Sequence, residues 1–226
     1  MDYANRARVW GAKALKYAKK ILAPASCVQC VLYLQDQEAF FCKECEAGIK
    51  PLATTTLHVT DQYQATVYAV SDYKNPLKPL VLAKQSRQRL AAWQLGILLW
   101  EKTDLKYADF DYIVPVPLHW TRYAWRWFNQ AEVMAQALSE KSGKPVLHLV
   151  KKVKQTSSQA GLSRVDRMKN IHEAFIIAAD AYRYKNARLL FVDDVMTTGT
   201  TLKAVIKKCL IIKPQQLFVA VACRVV

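Results

Sequence analysis

Apolar and polar positions along the chain change from helical to strand-like spacing and back. Between Pro79 and Trp100 the apolar residues recur at helical intervals, which predicts an amphipathic helix. The earlier run from Ala65 to Ser71 is β-branched and aromatic, and it therefore predicts a strand. At the start of the chain, residues 1–24 have the pattern of a basic amphipathic helix that ends at Pro24.

From Asp111 onward, short apolar runs alternate with helical segments. The predicted strands are Tyr112 to Pro117, Val146 to Val150, Ala174 to Ala178, Ala187 to Val195 and Leu217 to Arg224. The predicted helices are Phe128 to Lys141 and Thr200 to Ile212. Because strands that alternate with helices form right-handed βαβ units, this part of the chain predicts a parallel sheet in an α/β fold.

Four of the six cysteines form two closely spaced pairs. Two residues separate Cys27 from Cys30 and Cys42 from Cys45, and eleven residues separate the pairs. This spacing favours a structural Zn²⁺ site with four thiolate ligands, in which the metal replaces a core that so short a segment cannot build. Two disulfides or a redox-active pair are the alternatives. We expect the module to span 25–57, with Thr54 to Thr56 in its exit linker.

The chain carries 33 Lys and Arg residues against 18 Asp and Glu residues, a formal net charge of +15. The excess is concentrated in residues 1–24 and 141–190. A charge of this size favours polyanionic partners, although a solvated basic face is the simpler alternative. Apolar stretches fall well short of the roughly 18 residues that span a bilayer, so we expect no membrane span. Basic residues interrupt any apolar core of a secretory signal, so we expect a cytoplasmic location.

The segment from Leu189 to Thr201 carries the most informative chemistry. An apolar run ends in two adjacent carboxylates, Asp193 and Asp194, and a loop of hydroxyl residues and one glycine then leads into a helix. Backbone N–H groups at such a helix N-terminus bind a phosphate, and the carboxylates would reach the hydroxyls of an attached sugar. A plain strand–turn–helix with a threonine N-cap would leave the two buried acids unexplained.

This segment resembles the phosphoribosyl pyrophosphate (PRPP) signature of type I phosphoribosyltransferases. The resemblance implies that Asp193 and Asp194 are catalytic and hold the ribose hydroxyls. It also implies a loop that holds the 5′-phosphate and consists of Met196, Thr197, Thr198, Gly199, Thr200 and Thr201. In the family's reaction Mg²⁺ accompanies PRPP, pyrophosphate leaves from C1, and a nitrogen nucleophile takes its place.

A wider resemblance covers nearly the whole chain from Pro24 onward. Three features together resemble the ComF/GntX family of competence proteins. They are the four-cysteine module, the segment Val114-Pro115-Val116-Pro117-Leu118-His119-Trp120, and Phe128-Asn129-Gln130 after Arg126. Thr156-x2-Gln159-x2-Leu162-x4-Arg167-x2-Asn170 continues the family pattern. One position departs from that pattern, since Trp127 stands where the family usually has glycine.

The resemblance implies a type I phosphoribosyltransferase-like fold, with a Rossmann-like parallel sheet and a hood, over 58–226. Pro117 and Leu118 would form the loop beside the pyrophosphate. The basic stretch from Lys151 to Lys169, which contains Gln159 and Arg167, would form the hood over the ligand. For Arg167 and Asn170, ligand contacts and plain structural contacts remain equally open.

Two functions are compatible with these features. The first is a competence protein that handles incoming single-stranded DNA during natural transformation, with a DNA-translocating helicase as a further partner, and that keeps a PRPP-binding site. The second is an active phosphoribosyltransferase with an unknown nitrogen acceptor. Aromatic and basic residues alternate between His119 and Phe128, which suits stacking of DNA bases, but their helical spacing favours burial of most of the aromatic rings in a core. The basic residues of 1–24 and 141–169 are therefore the preferred candidates for DNA contacts.

Overall fold

The computed structural model describes residues 26–36, 39–74, 77–81, 88–118, 128–153 and 174–225. They belong to two compact units, the first ending at Gly48 and the second beginning at Ile49. The predicted basic helix over 1–24 lies outside the described residues, and the three-part division of the chain at residues 24 and 57 stays a prediction. No helix in the described ranges is long and apolar enough to cross a bilayer.

The second unit is built on a five-stranded sheet. Its strands, numbered along the chain, are β1 (Thr55–His58), β2 (Gln64–Asp72), β3 (Tyr112–Pro115), β6 (Arg188–Met196) and β7 (Gln216–Arg224). The strand order is β1-β2-β7-β6-β3. The β2–β7, β7–β6 and β6–β3 pairs are parallel, and only β1 pairs antiparallel, with β2. The predicted α/β fold with a mainly parallel sheet is therefore confirmed.

Helices cover both faces of this sheet. The described helices are α1 (Lys43–Ala47) in the first unit, and α2 (Leu77–Val81), α3 (Gln88–Lys102), α4 (Gln130–Ser142) and α5 (Thr200–Cys209) in the second. Alternate residues of a strand point to opposite faces, and Leu189 and Phe191 of β6 share a core with α5. Leu190 and Val192 are equally buried on the other face. Because both faces are covered, β6 is apolar from Leu189 to Val192.

Helices α3 and α4 pack closely beside the sheet. At their crossing, a Cβ atom on Gly96 would come within 2.8 Å of both Ala137 Cβ and the Met134 carbonyl oxygen. Gly96 therefore sets how near the two helix backbones approach.

The structure differs from the sequence prediction in the smaller strands. The predicted strand Val146 to Val150 lies instead at β4 (Val150–Lys152), which pairs antiparallel with β5 (Phe175–Ile177) in a separate two-stranded sheet. Val146 makes only an isolated bridge to Ile113. The expected exit linker at Thr54 to Thr56 overlaps β1, because an exposed edge strand needs few apolar residues and threonine is favourable there.

Candidate functional site

The four paired cysteines come together in the first unit. The Sγ atoms of Cys27, Cys30, Cys42 and Cys45 all lie within 4.8 Å of one another. Cys30 Sγ and Cys42 Sγ are 3.7 Å apart. Zn–S bonds of about 2.3 Å in a tetrahedron place the sulfurs about 3.8 Å apart, so the donor set fits a tetrahedral metal ion. The cysteines are free thiols rather than disulfides, and the cluster could hold one metal.

Backbone hydrogen bonds favour the thiolate at Cys27, whereas the hydrogen bond with the Cys42 side chain, together with burial, raises the pKa of the Cys45 thiol. Burial opposes ionisation of Cys27, but hydrogen bonds from the backbone of Cys30 and Cys42 bring the pKa of its thiol to about 6. Cys42 is the N-cap of α1, where its sulfur accepts a hydrogen bond from the Cys45 N–H over 3.4 Å. Val31 adopts a positive φ of 63° in the first knuckle. A positive φ is strained for a β-branched residue such as valine.

The other two cysteines are buried in the second unit. Burial raises the pKa of the Cys209 thiol to about 12, and burial together with the nearby Asp72 and Asp194 does the same for Cys223. These thiols stay protonated at neutral pH and are poor nucleophiles. Both side chains belong to the core of the second unit.

A second cluster of polar groups lies at the carboxyl edge of the parallel sheet. Strand β6 extends there between β3 and β7 and ends with Asp193, Asp194, Val195 and Met196. The Asp193 carboxylate accepts a hydrogen bond from the Asp194 N–H over 2.9 Å, and the Asp194 carboxylate accepts one from the Val195 N–H over 2.8 Å. These bonds fix both carboxylates at the ligand-binding end of an α/β sheet.

Asp193 occupies an electrostatically costly position. Burial raises the pKa of its carboxyl well above the usual value, and the charge of the adjacent Asp194 raises it further. Lys152 of β4 partly opposes this shift through its positive charge. A pKa raised by burial and a neighbouring charge is typical of functional sites in clefts.

The loop after β6 forms a small concave surface. Residues 195–202 and Asp193 line a cavity of about 50 Å³. Gly199 has a φ of 69° and caps the N-terminus of α5, and a Cβ atom at this position would lie 2.7 Å from Leu57 Cδ1. The hydroxyls of Thr198 and Thr200 are 2.8 Å apart. Backbone N–H groups at the start of α5 and these hydroxyls suit a bound phosphate.

The neighbouring loop of β3 reaches the same edge of the sheet. Val116 continues the strand by donating its N–H to the Val192 carbonyl, and Pro117 and Leu118 follow, both half-buried. Asn129 ties this loop to α4: its amide donates to the Val116 carbonyl over 2.9 Å, and its oxygen caps the helix at Ala131. The motif residue Asn129 thus has a structural role.

Arg224, at the end of β7, is a residue that sequence reasoning missed. It pairs in register with Met196 of β6 and with Asp72 of β2. Its buried Nη1 atom has no hydrogen-bond partner among the described residues. A buried guanidinium nitrogen without a partner is costly, and an anionic ligand at this edge would satisfy it. The only sequence signal was a basic residue at the end of an apolar strand.

Some predicted site residues cannot be located in the fold. Gln159, Arg167 and the rest of the predicted hood beyond Val153 lie outside the described residues, as do Asn170 and the stretch 119–127 with its aromatic residues. Their predicted roles stay predictions. The substrate-binding and catalytic roles of the described residues are likewise still to be tested.

We predict that Asp193→Asn stabilises the protein at neutral pH. The folded state holds the Asp193 proton at pH values where the unfolded chain, with a pKa near 4, has lost it. This contribution is complete below about pH 4 and is lost as pH rises through the raised folded pKa. Asparagine removes the cost of ionisation, so the melting temperature should rise at pH 7.5, by about 2–4 °C per kcal/mol, and the gain should vanish toward pH 4.

The exposed Asp180 provides the matched control, since Asp180→Asn makes the same charge change without relieving burial. Thermal unfolding of all three proteins between pH 4 and pH 8 measures the effect. A lower melting temperature for Asp193→Asn at neutral pH would contradict the electrostatic cost assigned to this site.

Comparison with known proteins finds sequence similarity to proteins named for competence and for DNA utilization. It is 43% identical over 96 residues to competence protein F from Haemophilus influenzae, a match covering 42% of each chain. It is 35% identical over 143 residues to the DNA utilization protein YhgH from Salmonella typhimurium, covering 59% of this chain and 60% of that protein. The matches thus span about 42–60% of these relatives' lengths. No family model matches the chain.

Solved structures of phosphoribosyltransferases also match the chain. An adenine phosphoribosyltransferase aligns with 81% of this chain and 96% of its own, at 13% identity and a TM-score of 0.38. The allosteric regulatory enzyme of purine biosynthesis aligns with 72% of this chain and 34% of its own, at 13% identity and a TM-score of 0.45. The similarity to competence protein F confirms the resemblance predicted from the sequence motifs.

Proposed function

We propose that this protein handles single-stranded DNA during natural transformation and binds a ribose 5-phosphate compound, such as PRPP, at the carboxyl edge of its sheet. The observation that carries the ligand site is the placement of Asp193, Asp194 and the Gly199 loop on one strand end. The similarity to competence protein F and to DNA utilization proteins supports the DNA role, as does the net charge of +15.

Different residues of the site would contact different parts of the ligand. The first N–H groups of a helix have no partner within the helix, so the start of α5 would hold the 5′-phosphate. The Thr198 and Thr200 hydroxyls, which lie 2.8 Å apart, would add hydrogen bonds to it. Asp193 and Asp194 would accept hydrogen bonds from the ribose hydroxyls. Pro117 and Leu118 would lie beside the pyrophosphate, and Arg224 supplies a buried cation at the same edge. Mg²⁺, bound with the pyrophosphate, would neutralise its charge.

The alternative function is an active phosphoribosyltransferase. The adjacent acids favour it, because negative charge near the sugar stabilises the positive charge that develops at C1 when pyrophosphate leaves. Pyrophosphate release from PRPP in the presence of nitrogen nucleophiles, abolished by Asp194→Asn, distinguishes catalysis from binding. PRPP binding without release would leave the DNA-handling role in place.

For the first unit we propose a structural zinc ion held by Cys27, Cys30, Cys42 and Cys45. The four sulfurs fill a tetrahedral shell and leave no position for a catalytic water. Among the described residues, this unit contains one short helix and few buried apolar side chains, so metal binding would supply much of its folding free energy.

We predict that Gly199→Ala weakens binding of PRPP at least tenfold. The added methyl group lies in a left-handed conformation, costs about 1–2 kcal/mol, and displaces Leu57 or the loop itself. The matched control is Gly143→Ala, which carries the same conformational strain at φ 71° with no atom within 4 Å and lies at the end of α4. Isothermal titration with PRPP and Mg²⁺ measures both. Equal losses in the two variants would contradict the proposed phosphate loop.

We predict one zinc ion per chain, released by a strong chelator. Once the chelator has removed the metal, four thiols should react with a thiol reagent without any reductant. Disulfides would instead need reduction first. Cys30→Ser, at an exposed ligand, should lower zinc content and melting temperature, while Cys209→Ala should keep the zinc. Elemental analysis of the purified full chain measures this. Full metal content in Cys30→Ser would contradict the assignment.

We predict that the full chain binds an oligo(dT) strand with an affinity that falls steeply with salt. Each phosphate neutralised by Lys or Arg contributes about −0.7 to the slope of log K against log salt concentration. Fluorescence anisotropy between 50 and 300 mM salt, values chosen to bracket roughly physiological ionic strength, gives the number of contacts. Absent or salt-independent binding would contradict the DNA-handling role.

A further inference from the structure

A basic groove lies at the end of the sheet opposite the acidic site. It has a volume of about 510 Å³ and forms where β3 and β6 begin. Its lining residues are Asp111, Tyr112, Lys144, Pro145, Arg183, Tyr184, Lys185, Asn186 and Ala187. Its size is within the roughly 300–1,000 Å³ range of ligand-binding clefts. The proposed sugar-phosphate site uses none of these residues.

The groove carries uncompensated positive charge. Its one carboxylate, on Asp111, pairs with Arg188, whose Nη2 and Nε atoms lie 2.6 Å and 3.1 Å from its two oxygens. Arg188 also pairs with the exposed Asp109, so this one cation is shared by two carboxylates. The side chains of Lys144, Arg183 and Lys185 form no ion pair with any carboxylate in the described part of the chain. These three cations therefore outweigh the one carboxylate charge that Arg188 leaves uncompensated, and the groove has a net positive charge.

Two aromatic rings line the same groove as these cations. Tyr112 and Tyr184 meet edge to face, with ring centroids 5.1 Å apart and planes inclined by 73°. Both are half-buried, so each ring is supported by the core on one side. Tyr182, on the same turn, is 60% exposed. Exposed and supported tyrosine rings provide flat surfaces on which unpaired bases stack.

Backbone hydrogen bonds order the segments that carry these groups. Tyr182, Arg183 and Tyr184 belong to a 3₁₀ turn, Ala181–Tyr184, which the Lys185 N–H closes on the Tyr182 carbonyl. On the opposite wall, the Ile113 N–H donates to the Pro145 carbonyl over 3.0 Å and so anchors the segment that carries Lys144. Because the backbone is already ordered, binding here does not have to pay for ordering a loop.

We propose that this groove binds single-stranded DNA, with its cations on the phosphates and its tyrosines under the bases. The inference rests on the proposed DNA-handling function and adds where the strand binds. Strand β6 separates the two sites: from Arg188 to Met196 it runs eight residue steps of about 3.3 Å, or roughly 26 Å. A DNA strand in the groove and a sugar phosphate at the acidic site therefore bind together without competing.

The test compares two double variants of the full chain that lose the same charge. Arg183→Ala with Lys185→Ala removes two groove cations, and Lys50→Ala with Lys78→Ala removes two exposed cations elsewhere in the second unit. Anisotropy with oligo(dT) should show binding at least tenfold weaker for the groove variant. Its salt slope should become shallower by about 1.4, at about 0.7 per lost phosphate contact. The control should stay within about twofold of the parent.

A single variant tests the aromatic contribution. Tyr184→Leu should weaken oligo(dT) binding about fivefold or more while leaving the salt slope unchanged, because stacking is lost and the phosphate contacts remain. Tyr184→Phe keeps the ring and should restore binding. Saturating PRPP should leave the DNA affinity of the parent protein unchanged. Melting temperatures establish that each variant is folded.

The outcomes separate this inference from the function on which it rests. If the parent protein binds DNA but both double variants weaken it equally, or neither does, the groove is not the DNA site and the DNA-handling function still stands. Competition between PRPP and oligo(dT) would likewise overturn the groove assignment. If the parent protein binds no single-stranded DNA at all, the proposed function fails and the groove assignment fails with it.

Discussion

Parallel pairing of β6 between β3 and β7 is the constraint on which the acidic site depends. Parallel strands bring their carboxyl ends to one edge, so the acids of β6, the loop after β3 and Arg224 of β7 meet there although they are distant in sequence. The same pairing buries the strand on both faces and makes the charge of Asp193 costly. Both acids lie in the last four residues of β6, close to the carboxyl edge of the sheet.

The two compact units differ in the interactions that can stabilise them. The second unit buries a large apolar core on both faces of a sheet, with Phe191, Leu189 and Val219 fully enclosed. The first unit, in its described part, concentrates four sulfur atoms within 4.8 Å of one another. A metal ion held by these four sulfurs would substitute for apolar burial in so small a unit.

The sequence predicted the parts of this fold that have strong local signals. The apolar run and acid pair of β6, the glycine-containing loop and the two cysteine pairs all lie in short segments whose composition leaves few alternatives. Strand β1 was missed because only Leu57 of its four residues is buried, and β4 was misplaced because it pairs with a distant partner, β5. Arg224 and the basic groove were missed for a related reason, since their significance comes from neighbours remote in sequence.

The contact between β1 and the loop after β6 links two regions separated by about 140 residues. The side chain of Leu57 occupies the space where a Cβ of residue 199 would extend, so the two positions share one volume. A related protein with alanine or serine at position 199 would therefore be expected to carry a smaller residue at position 57. Substitutions at these two positions would then occur together over evolutionary time. Their co-variation would reveal the contact between β1 and the loop after β6, although the residues of β1 alone give only a weak strand signal.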